Sequence, residues 1–317
     1  MRNILLLLIG SSLLISCGED DTNLGGRYVN DVFTNLTETY DIEYGRNTTL
    51  NGNDLSVYMD IYEPKNDNND TRATIVMAHG GAFVSGTKIQ IRELCRSYAR
   101  KGYVVASISY RLINDPSVAS SDSVVFSEAV VQSIADMRAA IRYIRNNALN
   151  GNDYGVDPTN IFVGGVSAGA VMATHVAYLD ENDVTPSYLQ EHIDDNGGFE
   201  GDTNDLNVSS EVSGVIAYSG SLFRDFWMAN NVNTPIFMVH EEFDPIVPCD
   251  YNFSTIFPFP VYGYGSCVME ESMMEYGIEN VFEFYPGSDG HVAYLGDEAL
   301  TNELIDKSAE FIAGYID

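Results

Sequence analysis

Basic residues are scarce in this chain. Its 317 residues hold 16 lysines and arginines against 46 aspartates and glutamates, a formal charge of −30. A surface of that sign repels polyanions, so nucleic acid is excluded as a partner and electrostatic attraction to anionic lipid is removed. Most of these carboxylates read as a solvated face. Long apolar runs are scarce too. The stretch Ile4 to Ile15, after Met1-Arg2-Asn3, is too short to span a bilayer comfortably and has the length of a secretory signal. There are only five histidines and four cysteines, Cys17, Cys95, Cys249 and Cys267. No internal repeat is evident. What the chain does have is 45% hydrophobic residues, enough for a full globular core.

The N-terminal run ends Leu14-Ile15-Ser16-Cys17. A small residue before a cysteine, after an apolar core, resembles a bacterial lipoprotein signal. The resemblance implies that residues 1–16 are removed, that Cys17 is lipidated, and that residues 17–36 form a polar tether. The protein is then expected to be exported and held at the bacterial outer membrane or cell surface, touching membrane only through its anchor. An ordinary cleaved signal would leave it periplasmic or secreted. Export implies an oxidising compartment. Cys249 and Cys267 flank one loop and form the natural pair, worth about 3 kcal/mol by loop closure. Cys95 lies in a helical pattern with Ile91, Leu94 and Tyr98 and is expected to be a buried free thiol.

Residues 37–317 read as one domain. Thr39 to Tyr44 and Leu55 to Tyr62, separated by Asn51-Gly52-Asn53-Asp54, predict a hairpin. Strands are then expected at Ala73 to Ala78, Tyr103 to Tyr110, Ile161 to Val166, Val212 to Tyr218, Pro235 to Val239 and Val281 to Tyr285. Helices are expected at Ile89 to Arg100, Ser123 to Asn147, after Ser167, and Asn302 to Ile316. In the long helix Val130, Ile134, Met137, Ile141 and Ile144 mark one face of a 3.6-residue period. Alternating strands and helices with near-continuous apolar strands predict an α/β fold with a mostly parallel sheet of about eight strands, covered on both faces. Residues 181–210 are polar and Gly/Asn-rich, a small cap or a plain loop. Residues 250–266 concentrate aromatics between two cysteines and read as a binding-site wall or a loop with its own small core.

The sharpest feature is Gly165-Val166-Ser167-Ala168-Gly169, between an apolar strand and an Ala-rich helix. That order places Ser167 on a strained strand-to-helix turn with its hydroxyl lifted clear of the sheet. A serine nucleophile needs a base, an acid to orient the base, and donors for an oxyanion. His291, in a Gly-rich loop after the last strand, is the expected base. Asp244, just past Pro235 to Val239, is the expected acid, with Asp289 and Glu242 in reserve. His79-Gly80-Gly81-Ala82 and the amide of Ala168 are placed for an oxyanion hole. His79 is read as orienting its loop and His175 as packing in its helix.

These pieces resemble the α/β-hydrolase superfamily, and within it the carboxylesterase/lipase branch related to hormone-sensitive lipase. The resemblance runs over roughly residues 40 to 315 and includes Tyr110-Arg111-Leu112, Asp157-Pro158 and Val247-Pro248. It implies the α/β-hydrolase fold, oxyanion amides from Gly81, Ala82 and Ala168, and no metal or organic cofactor. Ala82 stands where relatives carry a third glycine, and Val166 where they often carry an acid. The function expected is that of a serine hydrolase of short-chain, aryl or carbohydrate-linked esters, whose substrate is a small molecule or a polysaccharide decoration. The alternatives are a peptidase of the same fold and a non-catalytic surface binding module.

Overall fold

The computed structural model describes residues 25–113 and 122–316. The expected signal segment, the lipidation site Cys17 and the start of the tether lie outside them. Strands β1 (Leu36–Thr48) and β2 (Asp54–Pro64) form the expected hairpin, longer than predicted. It turns through Gly52 at φ +74°, a left-handed backbone that glycine adopts without strain. There follow β3 (Arg72–Ala78), α1 (Arg92–Arg100), β4 (Val104–Ile108), α2 (Ser123–Leu149), β5 (Val156–Val166) and α3 (Ala168–Tyr178). The second half holds α4 (Ser187–Asp195), β6 (Val215–Tyr218), β7 (Ser221–Leu222), β8 (Ile236–Glu241), β9 (Tyr251–Phe253) and β10 (Tyr262–Gly265). It closes with α5 (Ser266–Tyr276), β11 (Asn280–Tyr285) and α6 (Glu298–Ala313).

Eight strands form one sheet in the order β1-β2-β4-β3-β5-β6-β8-β11. Only β2 runs against its neighbours; from β4 to β11 every pair is parallel. Successive residues of the central strands serve opposite layers. Ile75 and Met77 face α1 and α6, whereas Val76 and Ala78 face α2 and α3. Burial on both faces explains why these strands read as unbroken apolar runs. The sheet and its helices make an α/β-hydrolase fold. Among the described residues no helix is long and apolar enough to cross a membrane.

The structure departs from the sequence reading in several places, among them the unexpected helix α5 (Ser266–Tyr276). The expected helix 89–100 begins as a 3-10 turn, Lys88–Ile91, because Thr87 and Gln90 cap that turn separately. Residues 26–33, expected in the tether, belong to the domain: the N–H groups of Tyr28, Val32 and Phe33 donate to the carbonyls of Lys101 and Arg100, at 2.6, 3.0 and 2.9 Å. Arg27 pairs with Asp67 at 2.5 Å. Within 181–210, α4 buries Leu189 and Ile193 against Val131, Leu179 and Trp227, on the flank of α2. It does not line the cavity at the strand ends described next.

Candidate active site

Ser167 sits between the last residue of β5 and the first of α3, at φ 55° and ψ −118°. That backbone is disfavoured for any residue with a Cβ and persists only where its surroundings enforce it. Here the enforcement is close packing. A Cβ on Gly165 would lie 2.2 Å from the carbonyl carbon of Gly169, and one on Gly169 would lie 2.1 Å from the oxygen of Ala78. The two glycines let helix and strands meet around the serine. Ala168 opens α3, so its N–H has no acceptor within the helix.

The His79 loop lies alongside, at the end of β3. His79 is fully buried, stacks on Tyr110 at 4.4 Å and donates through Nδ1 to the Gly80 carbonyl at 2.7 Å. Tyr110 donates its hydroxyl to the His79 carbonyl at 2.9 Å. Burial lowers the His79 pKa against the pull of that Gly80 carbonyl. Gly81, Ala82 and Phe83 all take positive φ, and the Gly81 carbonyl accepts from Val84 and Ser85. Ala82 and Ala168 line one cavity with Ser167; Gly81 sits one residue back from it.

Asp244 follows β8 and its side chain is completely buried. Its Oδ1 accepts from the N–H groups of Ile246 and Val247 at 2.8 and 3.0 Å, and its Oδ2 lies 2.7 Å from His291 Nδ1. Burial alone would raise the carboxyl pKa. The imidazoles of His240 and His291 and the Ile246 amide outweigh it and bring it down to about 2. His291 hangs from the loop after β11, with Nε2 2.7 Å from Ser167 Oγ. Its side chain is 19% exposed, so water and substrate can reach the ring. The structure therefore brings Ser167, His291 and Asp244 into one hydrogen-bonded line. The reserve acids are elsewhere: Glu242 accepts from the Gly287 N–H at 2.6 Å, and Asp289 is exposed.

Two buried groups behind this line have no local sequence signal. His240 lies 3.6 Å from Asp244 Oδ2, with Nε2 2.7 Å from the Val247 carbonyl and Nδ1 2.8 Å from Ser266 Oγ. Glu241, the last residue of β8, is buried beneath the His291 loop. His175, by contrast, packs within α3 as read from the sequence.

The cavity beside Ser167 is about 60 Å³ and apolar, walled by Phe126, Val130, Val171, Phe223, Phe257 and Val261. Phe257 comes from the aromatic stretch and packs on Phe126 at 4.5 Å. That stretch supplies β9 and β10 of a three-stranded sheet with β7, and Cys249 is bonded to Cys267 across its base. Cys95 is buried and free, its thiol pushed up to about 12 by that burial. Among the described residues no three His, Cys, Asp or Glu side chains are grouped to hold a metal ion.

The BD-FAE family model matches residues 59–233, more than half of the chain and including Ser167. The chain belongs to the BD-FAE family. Esterase-5B of Drosophila persimilis is 30% identical over 134 residues, 42% of this BD-FAE chain and 23% of that protein. Lipase 1 of Geotrichum candidum is 26% identical over 157 residues, 45% of this chain and 25% of that protein. Each match thus spans about a quarter of the relative's length. Esterase 2 of Thermogutta terrifontis, phosphoramylated by tabun, superposes with a TM-score of 0.63 at 19% identity over 87% of this chain and 94% of its own. The propionate-bound form of that esterase gives 0.61 at 21% identity over 86% and 93%. At that identity the likeness is one of fold.

Proposed function

We propose that the protein is a serine carboxylic ester hydrolase working through an acyl-enzyme on Ser167. The observation that carries this reading is the pair of 2.7 Å contacts from His291 to Ser167 Oγ and to Asp244 Oδ2. Ser167 Oγ attacks the ester carbonyl as His291 Nε2 takes its proton. Asp244 accepts from Nδ1–H, fixes the tautomer and stabilises the imidazolium. The carbonyl oxygen gains charge beside the N–H groups of Ala168 and Ala82, with Gly81 as a further donor. Donors aimed at that oxygen stabilise the transition state by about 3 kcal/mol each. His291 then protonates the departing alkoxide, and water, deprotonated by the same ring, releases the acid.

The small apolar cavity is read as the acyl site. Its phenylalanine and valine walls suit a short hydrocarbon group and offer nothing to a charged one. The names esterase and lipase among the relatives agree with ester hydrolysis, and the propionate complex of a structural neighbour agrees with a short acyl chain. The alcohol side faces solvent, where a small alcohol or a sugar of a polysaccharide would sit. Export and anchoring through Cys17 remain part of the proposal, carried by the sequence of residues 1–17. The test is hydrolysis of nitrophenyl acetate, butyrate and decanoate and of acetylated xylan by residues 18–317. The reading expects turnover of the short esters that Ser167→Ala abolishes. Turnover that survives Ser167→Ala, or of amides alone, would reject it.

A further inference from the structure

Three residues at the end of β8 fasten the loop that carries His291. Phe243 donates its N–H to the Ser288 carbonyl at 2.8 Å, Glu242 accepts from Gly287, and Glu241 accepts through Oε1 from the N–H of Ala293 at 2.7 Å. Glu241 stands apart because it is only 1% exposed. A buried carboxylate is unfavourable unless its hydrogen bonds repay the lost hydration. Its other oxygen lies 3.5 Å from Ser219 Oγ, which pairs with the Tyr294 hydroxyl at 2.8 Å.

What this carboxylate holds is strained. Val292, between His291 and Ala293, takes φ 49° and ψ 27°. A β-branched residue in left-handed geometry is a genuine outlier and needs an outside constraint. The Ala293 N–H bonded to Glu241 lies one residue beyond the bend and is placed to supply such a constraint, beside the Leu295 N–H that donates to the Val292 carbonyl at 3.0 Å. Glu241 Oε1 also lies 3.0 Å from where a Cβ on Gly290 would sit, so the carboxylate is near the loop on both sides of His291.

We propose that Glu241 is a positioning residue for His291. By pinning the bend at Val292 it sets the direction in which the imidazole leaves its loop, and so the alignment of Nε2 with Ser167 Oγ. This rests on the serine hydrolase reading for its kinetic consequence, though not for its structural one. Released, the loop relaxes toward ordinary backbone, and a ring displaced by about an ångström loses up to roughly 100-fold in rate. Glu241 touches no reacting atom, so the loss belongs to turnover and not to substrate binding.

The experiment compares wild type, Glu241→Ala, Glu241→Asp and Glu241→Gln. It uses nitrophenyl acetate kinetics at a temperature where circular dichroism finds each variant folded, and the downfield proton resonance of the His291 Nδ1–H···Asp244 bond. Expected is a kcat lower by roughly 30- to 100-fold in Glu241→Ala with KM within about threefold, a broadened or lost resonance, and recovery of both in Glu241→Gln, which keeps an acceptor. Glu241→Asp keeps the carboxyl group but withdraws the acceptor by one methylene. It should follow Glu241→Ala, and it carries the test if the alanine variant does not fold. The proposal is overturned if folded Glu241→Ala or Glu241→Asp keeps kcat and the resonance, or if folded Glu241→Gln is as impaired as Glu241→Ala. Should the wild type hydrolyse no ester, the serine hydrolase reading fails on its own, and the resonance still decides whether Glu241 orients the ring.

Discussion

Asp244 is where most of the site's electrostatics meets in one side chain. Two amides, one imidazole at bonding distance and a second at 3.6 Å converge on its two oxygens. Asp244→Asn keeps the shape but presents an amide that can push His291 into the wrong tautomer, so kcat is expected to fall by about 10³- to 10⁴-fold, measured with nitrophenyl acetate. The same residue predicts a pH effect. Its pKa drops from 3.8 in the unfolded chain to about 2 in the fold, so the unfolded state takes up the proton first. The stabilisation, on the order of 2 kcal/mol, is complete above about pH 4 and is lost as pH falls through about 2. Denaturant unfolding across that range should be flatter for Asp244→Asn. Ser167, Asp244 and His291 could be placed from the sequence because each sits in a short local pattern just past an apolar strand. His240 and Glu241 could not, since their meaning lies in contacts with Ser266, Val247 and Ala293, 26, 7 and 52 residues away.

At the scale of elements, α2 carries more than its apolar stripe. Val130, Ile134, Met137, Ile141 and Ile144 are buried as their spacing predicts, but so are Asp136, Arg138 and Arg142. Asp136 pairs with Arg111 at 2.9 Å, both side chains almost wholly buried, and Arg111 also holds the carbonyls of Thr48 and Gln132. Helical periodicity gives no warning of such a pair, because both partners are polar and far apart in sequence. Removing one partner strands a buried charge, so Asp136→Ala should destabilise by about 3–5 kcal/mol in urea unfolding. Helix α3 contributes a pH dependence of its own. His175 donates through Nδ1 to the Val171 carbonyl at 2.7 Å and accepts at Nε2 from the Phe223 N–H at 3.2 Å. Both ring nitrogens are committed to the neutral form. Burial first, and then the charge of Arg138, lower its pKa to about 4 against the pull of the Val171 carbonyl. Below the ordinary histidine value the unfolded chain binds the proton and the fold does not, so stability declines as pH falls from about 6.5 to about 4. Unfolding free energies at pH 7 and 4.5 should differ more for wild type than for His175→Gln.

Over the whole molecule, a charge of −30 sets a repulsion that the fold must overcome. Salt screens it, so Tm should rise by several degrees between about 0.05 and 1 M NaCl. The alternation of strands and helices, and the sheet it builds, were legible because each central strand is buried on both faces. The docking of residues 26–33, the small sheet of β7, β9 and β10, and the flank position of α4 were not, since these segments are short and their placement is set by contacts with residues distant in sequence. The account's central claim is chemical: the serine on the strained turn is a nucleophile activated by His291. It is tested most directly by intact-protein and peptide mass spectrometry after exposure to a fluorophosphonate. The account predicts one adduct, on Ser167, forming far more slowly in His291→Ala; no adduct, one on another residue, or equal labelling of His291→Ala would contradict it.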